Sequence, residues 1–175
     1  MGRKEPFQKK KLVIGVIAAP DMEPGEIEEA LTGKFGRVDY SSRILPFGYT
    51  DYYRREMGEN LERYFLSFAE LIDPAELSEV KIATNGIEER FAVSGKRRVN
   101  LDPGLLDLSR LILATTKDNA HRIPLHDGIY GEITLLYRKK DFLPLDWTYP
   151  DYRSEEYREI LREIREIFKE DLKRS

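Results

Sequence analysis

The apolar positions along the chain begin as a continuous run and end as a helical stripe. Residues 12–19, LVIGVIAA, are apolar on both alternating faces, which is typical of a strand buried on both sides at the centre of a sheet. Residues 154–173 carry apolar side chains at helical spacing, which predicts a long amphipathic C-terminal helix with Ser154 as its N-cap. The stripe consists of Tyr157, Ile160, Leu161, Ile164, Ile167, Phe168 and Leu172.

The pattern between these two elements predicts an α+β fold. After the first strand it indicates a helix, two strands, a second helix and a fourth strand, at residues 22–36, 37–47, 61–72, 73–91 and 99–102. The order strand-helix-strand-strand-helix-strand is a signature of the ferredoxin-like split βαβ fold. We therefore expect a ferredoxin-like core over residues 11–102. Further strands are predicted at residues 111–115, 121–125, 129–138 and 142–145, the last two joined as a hairpin.

The length and the absence of linkers indicate one domain over residues 1–175. A chain of 175 residues is enough for a single core, and no repeat or low-complexity tract divides it. The expected parts are a flexible lead-in (1–10), the ferredoxin-like core (11–102), a β extension that forms a C-terminal β-hairpin region (103–146) and the C-terminal helix (154–173).

Composition narrows the class of protein. With 41% apolar and 35% charged residues the chain is of the globular type, and its longest apolar run is too short to span a bilayer. The N-terminus has no secretory pattern, so a cytoplasmic protein without membrane contact is expected. The lack of cysteine excludes disulfides and thiolate chemistry, and a net charge of −3 gives no global attraction to nucleic acid. Dense Glu, Lys and Arg are also typical of a thermophile.

Polar residues that could bind a ligand or take part in a reaction are concentrated in residues 99–138. Asn100 and Asp102 share one face of the predicted fourth strand, and Pro103 with Gly104 is expected to end that strand in a turn. Asp102 would then lie at a strand end, either as a functional carboxylate or as ordinary turn chemistry. The next loop follows the apolar LILA and is either a solvated turn between two strands or part of a site, with groups for phosphate binding, metal or ribose binding and proton transfer. They are Thr115, Thr116, Lys117, Asp118, His121 and Arg122.

Glu132 is the most diagnostic single residue. Strict alternation in residues 129–138 places Tyr130 and Glu132 on one face and Ile129, Ile133, Leu135 and Tyr137 on the other. An acidic residue between apolar neighbours is either exposed in a cross-strand ion pair or held by a cation, for which Arg138 and Lys117 are candidates. In a cleft, Glu132 would be a general base or a metal ligand.

Two aromatic segments flank the candidate site. Residues 48–60, GYTDYYRREMGEN, form either an exposed loop or a mobile lid with Arg54, Arg55 and Glu56 facing the site. Residues 147–152, WTYPDY, either stack on a base or sugar or anchor the chain where it enters the last helix. No GxxxxGK[ST], GxGxxG, GxSxG or HExxH motif occurs, which excludes the phosphate-loop, Rossmann, α/β-hydrolase and zincin patterns.

The motifs together resemble a known family. The segments YYRREMG, VNLDPG, ATTKDNAHRIPL, GIYGEITLLYR and WTYPDYRS are similar, in this order, to the prokaryotic family catalogued as domain of unknown function 4416. The resemblance runs from Leu12 to the last helix. It implies a complete single-domain protein whose motif residues are the candidates for a site, and it carries no established activity.

Two functional hypotheses follow. The first is a protein that binds a phosphorylated ligand, a nucleotide or an RNA end, with metal-assisted phosphoryl or nucleotidyl chemistry as an option. Its catalytic candidates are Asp102, Asp118, His121 and Glu132, and its ligand-binding candidates are Asn100, Thr115, Thr116, Lys117, Arg122, Tyr130, Arg54 and Arg55. A divalent cofactor such as magnesium would suit this chemistry. The alternative is a non-catalytic RNA- or protein-interaction module, in which Asp102 and Glu132 are exposed and far apart.

Overall fold

The structure is a computed structural model that describes residues 2–174. Met1 of the predicted lead-in and Ser175 lie outside the described residues. Residues 2–9 are exposed and form neither a helix nor a strand, and the first strand begins at Lys10.

Nine strands in one antiparallel sheet and four α-helices make up the described chain, which confirms the α+β class. The sheet order is β2-β4-β1-β5-β6-β8-β7, with β3 also paired to β4 and β9 to β8. Single 3₁₀ turns at Pro74–Glu76 and Asp151–Arg153 precede α3 and α4. The elements are β1 Lys10–Ala18, α1 Pro24–Phe35, β2 Val38–Ser41, β3 Leu45–Phe47, α2 Arg54–Met57, β4 Leu61–Ile72, α3 Leu77–Arg90, β5 Val99–Leu106, β6 Arg110–Thr115, β7 Ile123–Pro124, β8 Tyr130–Arg138, β9 Asp141–Pro144 and α4 Glu155–Arg174.

The two faces of the sheet are covered by different helices. One core packs alternate β1 residues such as Ile14 and Val16 against α1 and α3. The other packs Val13 and Phe65 against the apolar stripe of α4, including Ile164 and Phe168. This arrangement explains why β1 is apolar on both faces. None of the helices in residues 2–174 is long and apolar enough to cross a membrane.

The predicted second strand, residues 37–47, is divided into the short strands β2 and β3. Ser42 lies between them, where its backbone N–H donates to Phe65 O and its Oγ accepts from Phe65 N, each at 2.9 Å. Ser42 therefore lies outside the regular β-ladder but keeps two hydrogen bonds to β4. The predicted loop 48–60 also contains the one-turn helix α2.

β5 corrects the prediction that Pro103 and Gly104 end a strand. It continues through both residues to Leu106, and Asp102 lies in mid-strand opposite Gly15 of β1. The backbone N–H and C=O of Leu101 face away from β1 and bond to α3. Pro103 lies two residues further along the strand, so its backbone nitrogen faces the same way. The proline nitrogen thus faces an edge with no strand partner, where a missing N–H is tolerated.

A gap between β5 and β6 follows from the same pairing. β6 pairs with β5 only from Gly104 onward, so the edge of the first half of β5 is unpaired. Helix α3 satisfies this edge, since Glu88 Oε1 accepts from Leu101 N at 2.6 Å and Lys81 Nζ donates to Leu101 O at 2.9 Å. The sheet is therefore open beside Asn100 and Asp102.

Replacing Gly104 by alanine is expected to lower the free energy of unfolding by about 1–3 kcal/mol, as for other overpacking changes. A Cβ at this position would lie 2.5 Å from Ile112 O, so the β5–β6 ladder would have to separate. Urea denaturation measures the change. Gly86→Ala is the control, because nothing lies within 4 Å of its Cβ in α3 and alanine should stabilise the helix by about 0.5–1 kcal/mol. Equal effects of the two changes would contradict the close approach.

Candidate functional site

A cavity of about 520 Å³ lies where β5 and β6 separate. Its aromatic and apolar lining comes mainly from residues 47–53 and from the segment that enters α4. Its polar lining comes from α3, β5, β8 and the loop after β6. The lining residues are Ile17, Phe47, Tyr49, Thr50, Tyr52, Tyr53, Lys81, Asn85, Glu88, Arg97, Asn100, Asp102, Leu113, Ala114, Thr115, Thr116, Lys117, Glu132, Tyr149, Pro150, Asp151 and Tyr152.

Half of the predicted site residues lie in this lining. They are Asn100, Asp102, Thr115, Thr116, Lys117 and Glu132. His121 and Arg122 lie outside the lining but contact Glu132 directly. The structure thus brings eight of the twelve predicted residues to one place.

The other four predicted residues lie outside the lining. Arg54 is exposed and pairs with Asp51 at 3.1 Å and with Glu59 at 3.9 Å, and Arg55 is exposed on the same short helix. Asp118 is exposed in the loop that follows Lys117, and Tyr130 is half-buried. Among the charged residues of α2, Glu56 is the one that contacts a residue of the lining, Arg97, and ligand binding by the two arginines stays a prediction.

Asp102 is bonded to a fully buried cation that the sequence analysis missed. Arg63 of β4 donates from Nη1 to Asp102 Oδ2 at 2.9 Å and from Nη2 to Tyr152 Oη at 2.8 Å. Its guanidinium carbon lies 4.8 Å from the ring centre of Phe65 and 5.3 Å from that of Tyr152. Gly15 makes this position accessible, since a Cβ there would be 2.8 Å from Arg63 Nη2.

The two carboxyl groups beside Arg63 differ in their pKa. Burial alone would raise the pKa of Asp102, but Arg63 and Lys81, with hydrogen bonds from Arg63 and Asn100, hold it below its usual value. Burial raises the pKa of Asp151, whose Oδ2 is 3.8 Å from Arg63 Nη2, and this arginine offsets the shift only in part. Asp102 is therefore the acceptor that stays ionised at neutral pH.

Arg97 connects residues 48–58 to β5. Its Nε and Nη2 donate to Glu56 of α2 at 2.9 and 2.8 Å, and its Nη1 donates to Asn100 Oδ1 at 2.9 Å. The same nitrogen lies 3.6 Å from Glu88. The hydrogen bonds that Arg97 donates to Glu56 raise the pKa of Arg97 further above its usual value. Because Asn100 Oδ1 faces Arg97, its Nδ2 donates to Asp102 Oδ1 at 3.0 Å.

Glu132 is buried, with 2% of its side chain exposed, and its partners are Arg122 and His121 rather than the predicted cations. Its Oε2 accepts from Arg122 Nε at 2.8 Å and lies 2.8 Å from His121 Nε2. Neither Arg138 nor Lys117 is its partner. The alternative of an exposed cross-strand ion pair is wrong, because the Glu132 side chain is buried. Arg122 also donates to Lys117 O and to Tyr149 Oη, so Glu132 organises the loop after β6.

A β-bulge decides which face Glu132 occupies. Leu111 pairs with Leu135 while Ile112 pairs with Ile133, so that β8 has one extra residue at this point. Glu132 therefore shares a face with its cross-strand partner Leu113 and with Leu135, both on the α4 side of the sheet. The strict alternation that separated Glu132 from Leu135 is corrected by this extra residue.

Segment 147–152 both anchors the chain and lines the cavity. Trp147 stacks on His121 with ring centres 5.1 Å apart, and its Nε1 donates to Ile133 O at 2.8 Å. Tyr149 and Tyr152 line the cavity itself. Trp147 thus anchors the chain ahead of the last helix, and stacking of a base or sugar stays a prediction for this segment.

Lys117 is the exposed cation at the mouth of the cavity. Its Nζ lies 4.3 Å from the ring centre of Tyr52 and makes no ion pair with any residue in 2–174. A hydrogen bond from Lys117 lowers the pKa of Tyr52. We call Lys117, Thr116, Tyr49, Tyr52 and Tyr149 the rim, since all five are exposed, and Asn100, Asp102, Glu132, Asp151 and Tyr152 the inner wall.

The donor set for a metal ion is small. Within the described part of the chain, no group of three or more His, Cys, Asp or Glu side chains is placed to hold one. Asp102 and Glu132 are the two candidate carboxylates that line the same cavity. Such a pair suits Mg²⁺ only together with oxygens from elsewhere, such as ligand phosphates and water.

The residues that sequence reasoning missed had weak local signals. Arg63 is a charged residue inside the apolar strand RYFLSF, and Gly15 interrupts an otherwise apolar strand. Both features mark a close approach, since a buried charge needs a partner and a strand glycine admits a neighbour. The partner residues Asp151 and Tyr152 are about half the chain away, and no local pattern identifies them.

Comparison with known proteins yields one match. Residues 8–168 match the family described as Domain of unknown function (DUF4416). No curated protein and no solved structure matches the chain.

Proposed function

This chain belongs to the DUF4416 family, and we propose that its cavity binds a phosphorylated small molecule of the nucleotide class. The observation that carries the proposal is the convergence on one cavity of tyrosine rings, buried carboxylates and Lys117, which has no carboxylate partner within residues 2–174. A volume of about 520 Å³ lies within the range of small-molecule sites, roughly 300–1,000 Å³.

The rim suits a phosphate group. Lys117 offers an ammonium without a competing carboxylate, and Thr116 adds a hydroxyl and a backbone N–H beside it. Lys117 N itself donates to Thr115 Oγ1 at 3.2 Å, which holds the turn that presents the lysine. Charge-assisted hydrogen bonds from such a group to phosphate are among the strongest in proteins.

The tyrosines suit a planar base or a sugar. Tyr49, Tyr52 and Tyr149 are each more than 40% exposed, although large aromatic side chains are usually buried. Stacking on an aromatic side chain contributes about 1–3 kcal/mol per base. The exposed rings next to the cavity are therefore explained by a ligand that covers them.

Binding is supported more directly than catalysis. Asp102 is held ionised and is a weak base near neutral pH, and Glu132 is engaged by Arg122. In a metal-assisted phosphoryl or nucleotidyl reaction, Asp102 and Glu132 would hold Mg²⁺ that arrives with the ligand phosphates. His121, oriented by Glu132, is the group we assign to proton transfer in that case.

The alternative interaction module expects Asp102 and Glu132 to be exposed and far apart. Glu132 is buried and both residues line one cavity, which favours the small-molecule proposal. We also propose that β1, α1, β2, β4, α3 and β5 form a ferredoxin-like core. Its support is the order β2-β4-β1-β5 together with α1 and α3 in one core. A cytoplasmic location and a thermophilic source stay predictions from composition.

Lys117→Ala is expected to weaken the binding of nucleoside monophosphates about 10- to 100-fold, because a hydrogen bond to a charged group contributes about 1.5–3 kcal/mol. Nucleosides should bind the variant and the wild type equally. Isothermal titration calorimetry with the monophosphates of adenosine, cytidine, guanosine and uridine measures the change, after a thermal-shift screen of the same compounds.

Lys34→Ala is the matched control, an exposed lysine of α1 outside the cavity. It should leave every affinity unchanged. Equal losses in the two variants, or nucleosides that bind the wild type as tightly as their monophosphates, would contradict the phosphate position at the rim. Absence of binding across the panel would overturn the proposal as a whole.

A further inference from the structure

The charged donors of the cavity's interior are already bonded to the protein. Arg63 donates to Asp102 and Tyr152, and Arg97 donates to Glu56 and Asn100. Lys81 donates to Leu101 O at 2.9 Å. Each of these cations thus already has a partner within the protein.

The carboxylates of the inner wall have more hydrogen-bond acceptor capacity than the donors around them use. Asp102 accepts one bond at each oxygen and its side chain remains 28% exposed, which leaves acceptor capacity open to the cavity. Asp151 is 3.8 Å from its nearest cation. Glu132 uses Oε2 for both His121 and Arg122, while its Oε1 has a single long contact of 3.5 Å with Thr134.

The cavity is therefore polarised along its depth. Asp102 and Asp151 lie beside the fully buried Arg63, and Lys81 is the other buried cation of this region, whereas Lys117 at the rim has no carboxylate partner within residues 2–174. A ligand that matches this distribution has its negative charge at the mouth and hydrogen-bond donors at the inner end.

We propose that the inner end of the ligand is a base that donates an amino group to Asp102, so that the site selects amino-substituted bases over their carbonyl counterparts. This inference rests on the proposed nucleotide binding and specifies its substrate class. Adenine and cytosine fit, whereas hypoxanthine and uracil present a carbonyl oxygen at the same position.

The physical reason is the one-way chemistry of an ionised carboxylate. It accepts hydrogen bonds and donates none, so a ligand carbonyl that faces Asp102 would bring two acceptors together. Asn100 does not relieve this contact, because its amide is fixed with Oδ1 toward Arg97 and Nδ2 toward Asp102. Buried polar groups left unpaired in this way are a strong source of discrimination.

Matched ligand pairs test the inference. AMP against IMP, and CMP against UMP, each differ in an amino group and a carbonyl at one ring position, with the same phosphate. In at least one pair, the wild-type protein should bind the amino member more tightly than the carbonyl member by a factor of about ten or more. The reason is that a good base contact discriminates by about 1–3 kcal/mol. Calorimetric dissociation constants at pH 7 give the ratio directly.

Variants separate this inference from the proposed function. Lys117→Ala should weaken both members of a pair by the same factor and leave their ratio unchanged. Asp102→Asn can offer an N–H₂ group and should reduce the ratio toward one, and Asp146→Asn, exposed and outside the lining, should leave it unchanged. The wild-type ratio decides the question even where Asp102→Asn fails to fold.

Equal affinities within both pairs, or preference for the carbonyl members, would overturn the inference and leave nucleotide binding intact. Loss of the preference in Asp146→Asn would also overturn the role of Asp102. If none of the four nucleotides binds, the proposed function and this inference fall together.

Discussion

Replacing Arg63 by methionine is expected to lower the free energy of unfolding by about 3–5 kcal/mol at pH 7, the usual result of breaking a buried ion pair. Arg63 is fully buried, and its removal leaves Asp102 and Asp151 next to each other without their shared cation. Methionine retains much of the volume between Phe65 and Tyr152, so the loss reports on charge rather than on a cavity. Urea denaturation followed by circular dichroism measures it.

The pH dependence of the same variant identifies the cause. In the wild type the pKa of Asp102 is lowered on folding, so its stabilising contribution is present above the unfolded pKa of about 3.9 and is lost as the pH falls through the folded value. Without Arg63, burial should raise that pKa above the unfolded value. The deficit of Arg63→Met should therefore be largest at neutral pH and shrink as the pH is lowered and Asp102 takes up a proton.

Two further variants complete the test of Arg63. The double variant Arg63→Met/Asp102→Asn should recover part of the loss, because it removes one of the two uncompensated charges. Arg43→Met breaks an exposed pair with Glu159, 3.2 Å apart, and should cost less than about 1 kcal/mol. A deficit of Arg63→Met that is the same at pH 7 and pH 5 would contradict the account.

The elements that the sequence predicted well are those with a complete local pattern. The apolar residues on both faces of β1 indicate a central strand without knowledge of its neighbours. The apolar stripe of α4 likewise indicates a helix that packs on one face. The hairpin of β8 and β9 also followed from alternation and a polar turn. In each case the residues that decide the structure are close in sequence.

β5 and β8 show where local reasoning stopped. Whether Pro103 ends a strand depends on which edge its nitrogen faces, and that edge is unpaired only because β6 joins β5 at Gly104. The bulge in β8 depends on the register with β6 and reverses the face of Glu132 relative to Leu135. The pairing with β6 decides both the continuation of β5 and the bulge in β8. The periodicity of residues along one strand carries no information about such pairing.

The candidate site divides in the same way. Lys117, His121 and Arg122 were found because a loop after an apolar strand concentrates polar groups in a few residues. Arg63 was missed because its partner Tyr152 is 89 residues away. Asp102 was found through its supposed place in a turn, so the residue was identified but the structural reason given for it was wrong.

Replacing Glu132 by alanine is expected to lower the free energy of unfolding by about 3 kcal/mol and to weaken ligand binding as well. The change leaves Arg122, with 7% of its side chain exposed, without its carboxylate. Arg122 also bonds to Lys117 O and Tyr149 Oη, so both the loop and one wall of the cavity lose their support. Urea denaturation and hydrogen exchange of residues 116–122 measure the two consequences.

Glu132→Gln separates shape from charge. The glutamine keeps the volume and can accept from Arg122 Nε, so hydrogen exchange in residues 116–122 should change less than in Glu132→Ala. The pair Glu132→Ala/Arg122→Leu should be less destabilised than the sum of its single variants, because the second change removes the uncompensated cation. Glu89→Ala, on the exposed side of α3, should have little effect on stability or exchange. Additive losses in the double variant would show that Glu132 and Arg122 act independently, and the loop after β6 would then owe its conformation to other contacts.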